Sequence, residues 1–287
     1  MQKTKSCDKF KSTEYETALR DVKQMRADEG YMKTVGAVEK ALNILNRFSQ
    51  QKPEWSLAEL ARELELSKPT ILRLLNTLEK YGYVSRNRVT RKYRLGMRLF
   101  DLVGIVLSQI EVRAVALPVM REIMGKVDEA VYLNVISGEE RVCIEFLDCS
   151  HTIKASVNIG QRSPLYVGAS ALVLLAFQKE RDREKLINGL ELKPFTDSTI
   201  TSKQKLRQRL EEIRRKGYAV SWGERNAGLV SLSVPVFDRH AEVAASLSIG
   251  LPDARAEPEK LDLCVKLLLE GGKAISRQMG CRIDDVH

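Results

Sequence analysis

Apolar positions recur at three- and four-residue steps from Val35 onward. Val35, Val38, Ala41, Leu42, Leu45 and Phe48 form one stripe, which predicts an amphipathic helix ending before Pro53. Leu57, Leu60, Ala61 and Leu64 repeat the pattern, with Ser56 placed as N-cap and Glu59 three residues on, the spacing of a capping box. After Glu65-Leu66-Ser67, a third stripe runs through Ile71, Leu74, Leu75 and Leu78. Ser67 can cap this helix, and Pro69 is tolerated because first-turn amides have no intrahelical partner. Gly82 ends it, and residues 83–86 and 91–95 alternate as two short strands around residues 87–90. Three helices followed by a ribbon predict a winged helix-turn-helix over residues 35–96.

The third helix carries its chemistry on the side away from that stripe. Pro69, Arg73, Asn76 and Lys80 lie opposite Ile71, Leu75 and Leu78, with Thr70 beside them. Arginine can grip guanine O6 and N7 with two bonds, and asparagine can do the same to adenine N6 and N7. The N-terminal half of such a helix reaches base edges, which makes Lys68, Thr70 and Arg73 the best candidate readers and Lys80 a phosphate contact, with Ser67 and Asn76 completing the helix's DNA-binding set.

Charge sharpens this picture. Of the 287 residues, 47 are Lys or Arg and 38 Asp or Glu, a formal +9. Residues 1–96 hold 20 basic and 12 acidic side chains, a net of +8, so the excess sits at one end. From Lys80 through Phe100 there are seven basic residues and no acidic one, and Arg86, Arg88, Arg91 and Lys92 mark the wing as a phosphate-binding element. The ribbon's only aromatics, Tyr83 and Tyr93, are spaced for packing rather than for stacking on bases, which favours duplex DNA over RNA.

Beyond residue 96 the pattern changes. Residues 97–127 read as a long helical segment with Leu99, Leu102, Val103, Val106, Ile110, Ala114 and Leu117 on one side, either one or two helices packed on their own domain or a linker and dimer seam. Strands are expected over 129–136, 141–147, 152–158, 218–222, 229–237 and 242–250, and helices over 169–178, 202–216 and 257–279. That order indicates an α+β domain over 128–287. Residues 1–34 read as a polar arm in which Met25 and Met32 are candidate internal starts. The first 40 residues hold no apolar run of signal-peptide type, and the long uncharged stretch that includes residues 163–177 is too short to span a bilayer. Five cysteines without a CxxC pair fit a reduced, cytoplasmic protein. His151 and His240 stand in no recognisable motif. With no P-loop, dinucleotide fingerprint, nucleophile elbow or metal spacing, no catalytic residue, cofactor or metal is assigned. An enzyme with a DNA-targeting head is the competing class; turnover of a metabolite would reveal it.

Two strands of this second domain show a distinctive alternation. Leu229, Ser231 and Ser233 share one face while Val230, Leu232, Val234 and Val236 share the other; Ser246, Ser248 and Gly250 likewise oppose Ala245, Leu247 and Ile249. A solvent face would carry longer polar side chains, so a hydroxyl-lined face suits a cavity for a polar ligand. Trp222 is expected as an apolar wall, and Arg162 or Arg225 as counter-charge for an acid.

Taken together, the segments Val35-Gly36-Ala37-Val38-Glu39-Lys40-Ala41-Leu42, Ser56-Leu57-Ala58-Glu59-Leu60-Ala61, Leu66-Ser67-Lys68-Pro69-Thr70-Ile71-Leu72-Arg73 and Tyr93-Arg94-Leu95-Gly96 resemble the IclR family of bacterial transcriptional regulators. Downstream, Gly160 with Pro164-Leu165, Gly217-Tyr218-Ala219, Pro235-Val236-Phe237-Asp238 and Ala245-Ser246-Leu247-Ser248 agree, so the resemblance covers roughly residues 35–280. It implies a winged-helix domain on promoter DNA, a linker helix, a GAF-like domain with a small-molecule effector, and a homodimer or dimer of dimers. Mapped by position, the family's effector pocket falls on Gly160-Gln161, residues 221–229, and the strands carrying Ser231 and Ser248. An organic acid is the candidate effector. Where family members often carry His-Ala-Thr/Ser-Ala-x-Gly-Lys-Ala, this chain has Tyr166-Val167-Gly168-Ala169-Ser170-Ala171-Leu172-Val173, so ligand preference does not transfer.

Overall fold

The computed structural model describes residues 34–49, 51–108 and 111–282 and divides the chain into two compact units, the division falling between Val103 and Gly104. Apart from Thr34, the arm expected over 1–34 lies outside the described residues.

The first unit is three helices and a ribbon: α1 (Gly36–Leu45), α2 (Leu57–Glu63), α3 (Lys68–Lys80), β1 (Val84–Arg86) and β2 (Tyr93–Leu95), with α4 (Arg98–Ser108) following. Both expected caps are present. Ser56 Oγ accepts from Glu59 N at 3.2 Å while Glu59 Oε2 accepts from Ser56 N at 2.8 Å. Those contacts with Ser56, helped by Lys52, hold the Glu59 carboxyl down at about 2. Ser67 Oγ accepts from Thr70 N. Ile44, Leu60, Ile71, Leu75, Leu78 and Val84 close the core. Trp55 adds a third strand position: its N–H and C=O both bond Tyr93, at 2.9 and 2.7 Å, and its indole Nε1 donates to Arg47 O.

The second unit is a three-layer sandwich. Its six antiparallel strands run in the order β5 (Arg162–Pro164), β4 (Glu140–Leu147), β3 (Ala130–Ser137), β8 (Val243–Pro252), β7 (Leu229–Phe237), β6 (Ala219–Trp222). One face, carrying Val131, Leu133, Leu232, Val234, Leu247 and Ile249, packs against α5 (Glu111–Val127) and α9 (Pro258–Gln278). The other lies under α6 (Ala169–Ala176) and α8 (Lys203–Lys216), with α7 (Glu180–Gly189) beside them. Glu129, fully buried at the start of β3, accepts two bonds from Arg255 at 2.7 Å each and lies 3.3 Å from Lys260 Nζ.

Three expectations change. Of the one or two helices allowed over 97–127, the segment holds two, α4 and α5. The stripe drawn through Ala114 and Leu117 does not cross the break: α5 instead buries Val112, Ala116, Met120, Ile123 and Val127 in the C-terminal core. Residues 152–158 form no strand, because the edge of β4 is taken by the chain from Gly160 through β5; Gly160 N bonds Cys143 O at 2.7 Å and Arg141 pairs with Ser163. Helix α7, whose sequence is dominated by charge, was not anticipated.

Candidate DNA-reading surface and ligand cavity

On α3 the buried residues are Ile71, Leu75 and Leu78, and the opposite side presents Lys68, Arg73, Asn76 and Lys80 to solvent. Thr70 is half-buried; its hydroxyl lies 2.8 Å from the capping Ser67 hydroxyl, so both engage each other at the helix start. Thr77 turns back to bond Arg73 O. In the wing, Asn87 Oδ1 accepts from Val89 N and Thr90 N, and Arg91 takes a left-handed conformation at φ +57, which places Arg88, Arg91 and Lys92 around the tip with Val89 90% exposed. Arg86 Nε donates to Arg91 O and its guanidinium lies 5.4 Å from the Tyr93 ring.

Elsewhere in the unit some basic side chains have counter-ions. Arg47 pairs with Glu63 and Lys52 with Glu59. Among the described residues, the ion pairs include none for Lys68, Arg73, Lys80, Arg86, Arg88, Arg91 or Lys92, all exposed. Two unpaired cationic groups, on α3 and on the wing, form a surface that a polyanion can neutralise.

In the second unit a small cavity of about 60 Å³ opens on the face beneath α6. Ser221, Leu229 and Ser231 line it. Ser231 Oγ accepts from Ala169 N at 3.3 Å, and Glu224 Oε2 accepts from Gly168 N at 3.2 Å, so both serve the start of α6. Burial raises the Glu224 carboxyl, against the opposing pull of that amide and the Ser221 hydroxyl. Tyr132 forms part of the wall, its phenol pushed up by complete burial. Gly250 leaves room for it: a Cβ there would stand 3.1 Å from the Tyr132 ring and 3.0 Å from Ala155.

The remaining expected residues fall elsewhere. Ser233, Ser246 and Ser248 share the hydroxyl face but are fully buried, with Ser233 and Ser248 bonded to each other at 2.9 Å. The reason is α6, which packs over this part of β7 and β8; small side chains let it approach. Trp222 pairs with Val230 on the opposite face and is 50% exposed, so it forms no cavity wall. Gly160 and Gln161 sit in the turn before β5 and Arg162 pairs with Glu140, all away from the lining. Of the two arginines weighed, Arg225 lines the cavity. Arg141, on β4, lines it too and was missed; a lone arginine in a strand of otherwise ordinary alternation gives no sequence signal.

A basic winged helix-turn-helix followed by an α+β unit with a polar cavity defines a DNA-binding protein of the transcriptional-regulator class. The comparisons agree: residues 37–88 match the IclR helix-turn-helix domain and residues 104–277 match the family described as Bacterial transcriptional regulator IclR C-terminal. The chain belongs to the IclR family of bacterial transcriptional regulators. It is 33% identical to the HTH-type transcriptional regulator KdgR of Escherichia coli (strain K12) over 86% of this chain and 94% of that protein. The crystal structure of the Thermotoga maritima IclR superposes with a TM-score of 0.74 at 30% identity, covering 85% of this chain and 99% of that one. An IclR homolog complexed with 4-hydroxybenzoate, from Microbacterium hydrocarbonoxydans, shares the fold at a TM-score of 0.73 and 24% identity, over 85% and 98% of the two chains. Among the described residues no single helix is long and apolar enough to cross a membrane.

Proposed function

We propose that this regulator reads promoter DNA with α3 and the wing, and that a small organic acid in the C-terminal cavity sets its DNA affinity. The observation that carries the first part is the strip of exposed, unpaired Lys68, Arg73, Asn76 and Lys80 on the helix that follows the turn. Arg73 and Asn76 make the bidentate contacts to base edges; Lys68 and the Ser67 and Thr70 hydroxyls meet the groove wall; Lys80, Arg86, Arg88, Arg91 and Lys92 bind phosphate. The second part is supported by the cavity's polar lining. An effector acts only through the difference in its affinity for DNA-competent and DNA-incompetent arrangements. Phe100, Val103 and Val106 stand exposed on α4, which supports self-association as a homodimer or dimer of dimers on a two-fold operator.

Arg73→Ala is expected to weaken binding to an operator selected from random duplexes by about 1–3 kcal/mol, and to relax base preference at the contacted position. Unchanged affinity at fixed salt would remove Arg73 from the reading face. Arg88→Ala and Arg91→Asn should instead weaken binding to every sequence. Each is expected to reduce the slope of log affinity against log salt by about 0.9. Asparagine is the choice at Arg91 because it tolerates the left-handed backbone. A slope identical to that of the parent chain would show that the wing does not touch phosphate.

A further inference from the structure

Two guanidinium groups face the cavity without a carboxylate to answer them. Arg141 is 4% exposed; its Nη1 donates to the neutral Asn134 Oδ1 at 2.7 Å, and its Nε is buried with no acceptor. Arg225, in the turn between β6 and β7, borders the same space. Burial, and secondarily Arg141, push Arg225 down to about 10; no carboxylate acts on either arginine. Glu224 is the one carboxylate of the lining, and it is engaged by the Gly168 amide and the Ser221 hydroxyl at the start of α6.

A buried charge with no counter-charge is among the costliest features a folded chain can carry, and it persists where function requires it. Here the missing charge has to arrive with the occupant. A monoanion would compensate one guanidinium and leave the other desolvated; two anionic groups compensate both, each through charge-assisted bonds that arginine makes in bidentate form. At about 60 Å³ the cavity is far smaller than the usual small-molecule site, and Ser156, Ser170 and Ser231 continue its polar lining, which restricts the occupant to a short polar compound of a few heavy atoms and excludes an aromatic one.

We infer that the cavity takes a small dianion, a short dicarboxylate, with one carboxylate on Arg141 and the other on Arg225. This rests on the effector reading above and gives the effector its charge state.

The test uses the full chain with malonate, succinate, malate and tartrate, against propionate and glycolate as monoanions and succinamide as the neutral analogue. Thermal shift and calorimetry are expected to show the fitting dianion binding at least tenfold more tightly than its matched monoanion. Arg141→Gln and Arg225→Gln should each weaken that dianion by about tenfold to a hundredfold and erase the preference over the monoanion. Arg141→Gln should leave the ligand-free protein as stable as the parent or more so, because it removes an uncompensated buried charge; a purely structural arginine would do the opposite. Should Arg141→Gln fail to fold, Arg225→Gln in its more accessible turn decides. Equal affinity for dianion and monoanion, indifference to both substitutions, or no binding by any of the four dianions would overturn the assignment. A neutral or monoanionic compound that binds the cavity and changes operator affinity would overturn it too, while leaving the sensor reading intact. Dianions that bind through both arginines without altering operator affinity would support the assignment and count against the sensor reading instead.

Discussion

Replacing Gly96 by alanine is expected to abolish operator binding while leaving the C-terminal unit folded. Gly96 follows β2, where the chain passes the end of α3. Its amide donates to Tyr83 O at 2.8 Å, and Arg98 N donates to Gly82 O at 3.2 Å. A Cβ on residue 96 would stand 2.0 Å from Gly82 O and 2.8 Å from Gly82 C, both main-chain atoms that no rotamer change can move aside. Relief requires the ribbon to separate from the α3 turn, which loses both bonds and uncovers Val84 and Tyr93, each 1% exposed. Overpacking against a rigid neighbour costs about 1–3 kcal/mol and each hydrogen bond about 1, so the total is about 4 kcal/mol. A unit this small has little stability to lose. Two thermal transitions followed by circular dichroism would report the result. The first should drop or vanish with the second unmoved, and a variant that melted and bound DNA like the parent would remove this contact from the account.

Glu129→Ala carries the largest expected effect in the other unit. The carboxylate is inaccessible to water and holds Arg255 from the segment after β8 and Lys260 from α9. Arg255 also reaches Ile153 O and Lys260 reaches Val127 O, so one carboxylate ties four stretches of chain together. Breaking a buried ion pair costs about 3–5 kcal/mol. The lower end applies here, because the Arg255 and Lys260 side chains keep about a quarter of their surface and can recover water. About 3 kcal/mol in a unit of this size corresponds to roughly 6–12 °C in the midpoint of its thermal transition. A shift of less than about 2 °C would mean that the network contributes no more than an exposed pair does.

Arg73 and the wing were legible because their signal is local. A stripe three and four residues apart fixes which side of α3 faces inward, and the side left over must face out, whatever the rest of the chain does. Ser56 and Ser67 were legible for the same reason, since a cap needs only the next three residues. The serines of β7 and β8 show where that logic stops. Alternation placed Ser231, Ser233, Ser246 and Ser248 on one face, as found, yet only Ser231 borders the cavity, because α6 covers the rest. Alternation also argued against Trp222: it neighbours Ser221 in the strand, so the two must point to opposite faces.

From its own order of residues, then, the chain determined the helices of the first unit, the wing, the exposed cationic strip of α3 and the two faces of the sheet, since each follows from spacing within a dozen neighbours. Tertiary structure alone decided which hydroxyls meet open space, that α5 belongs to the C-terminal core, and that Arg141 and Arg225 converge without a counter-ion. Those outcomes depend on residues tens of positions apart brought together by packing, and periodicity carries no record of such distances.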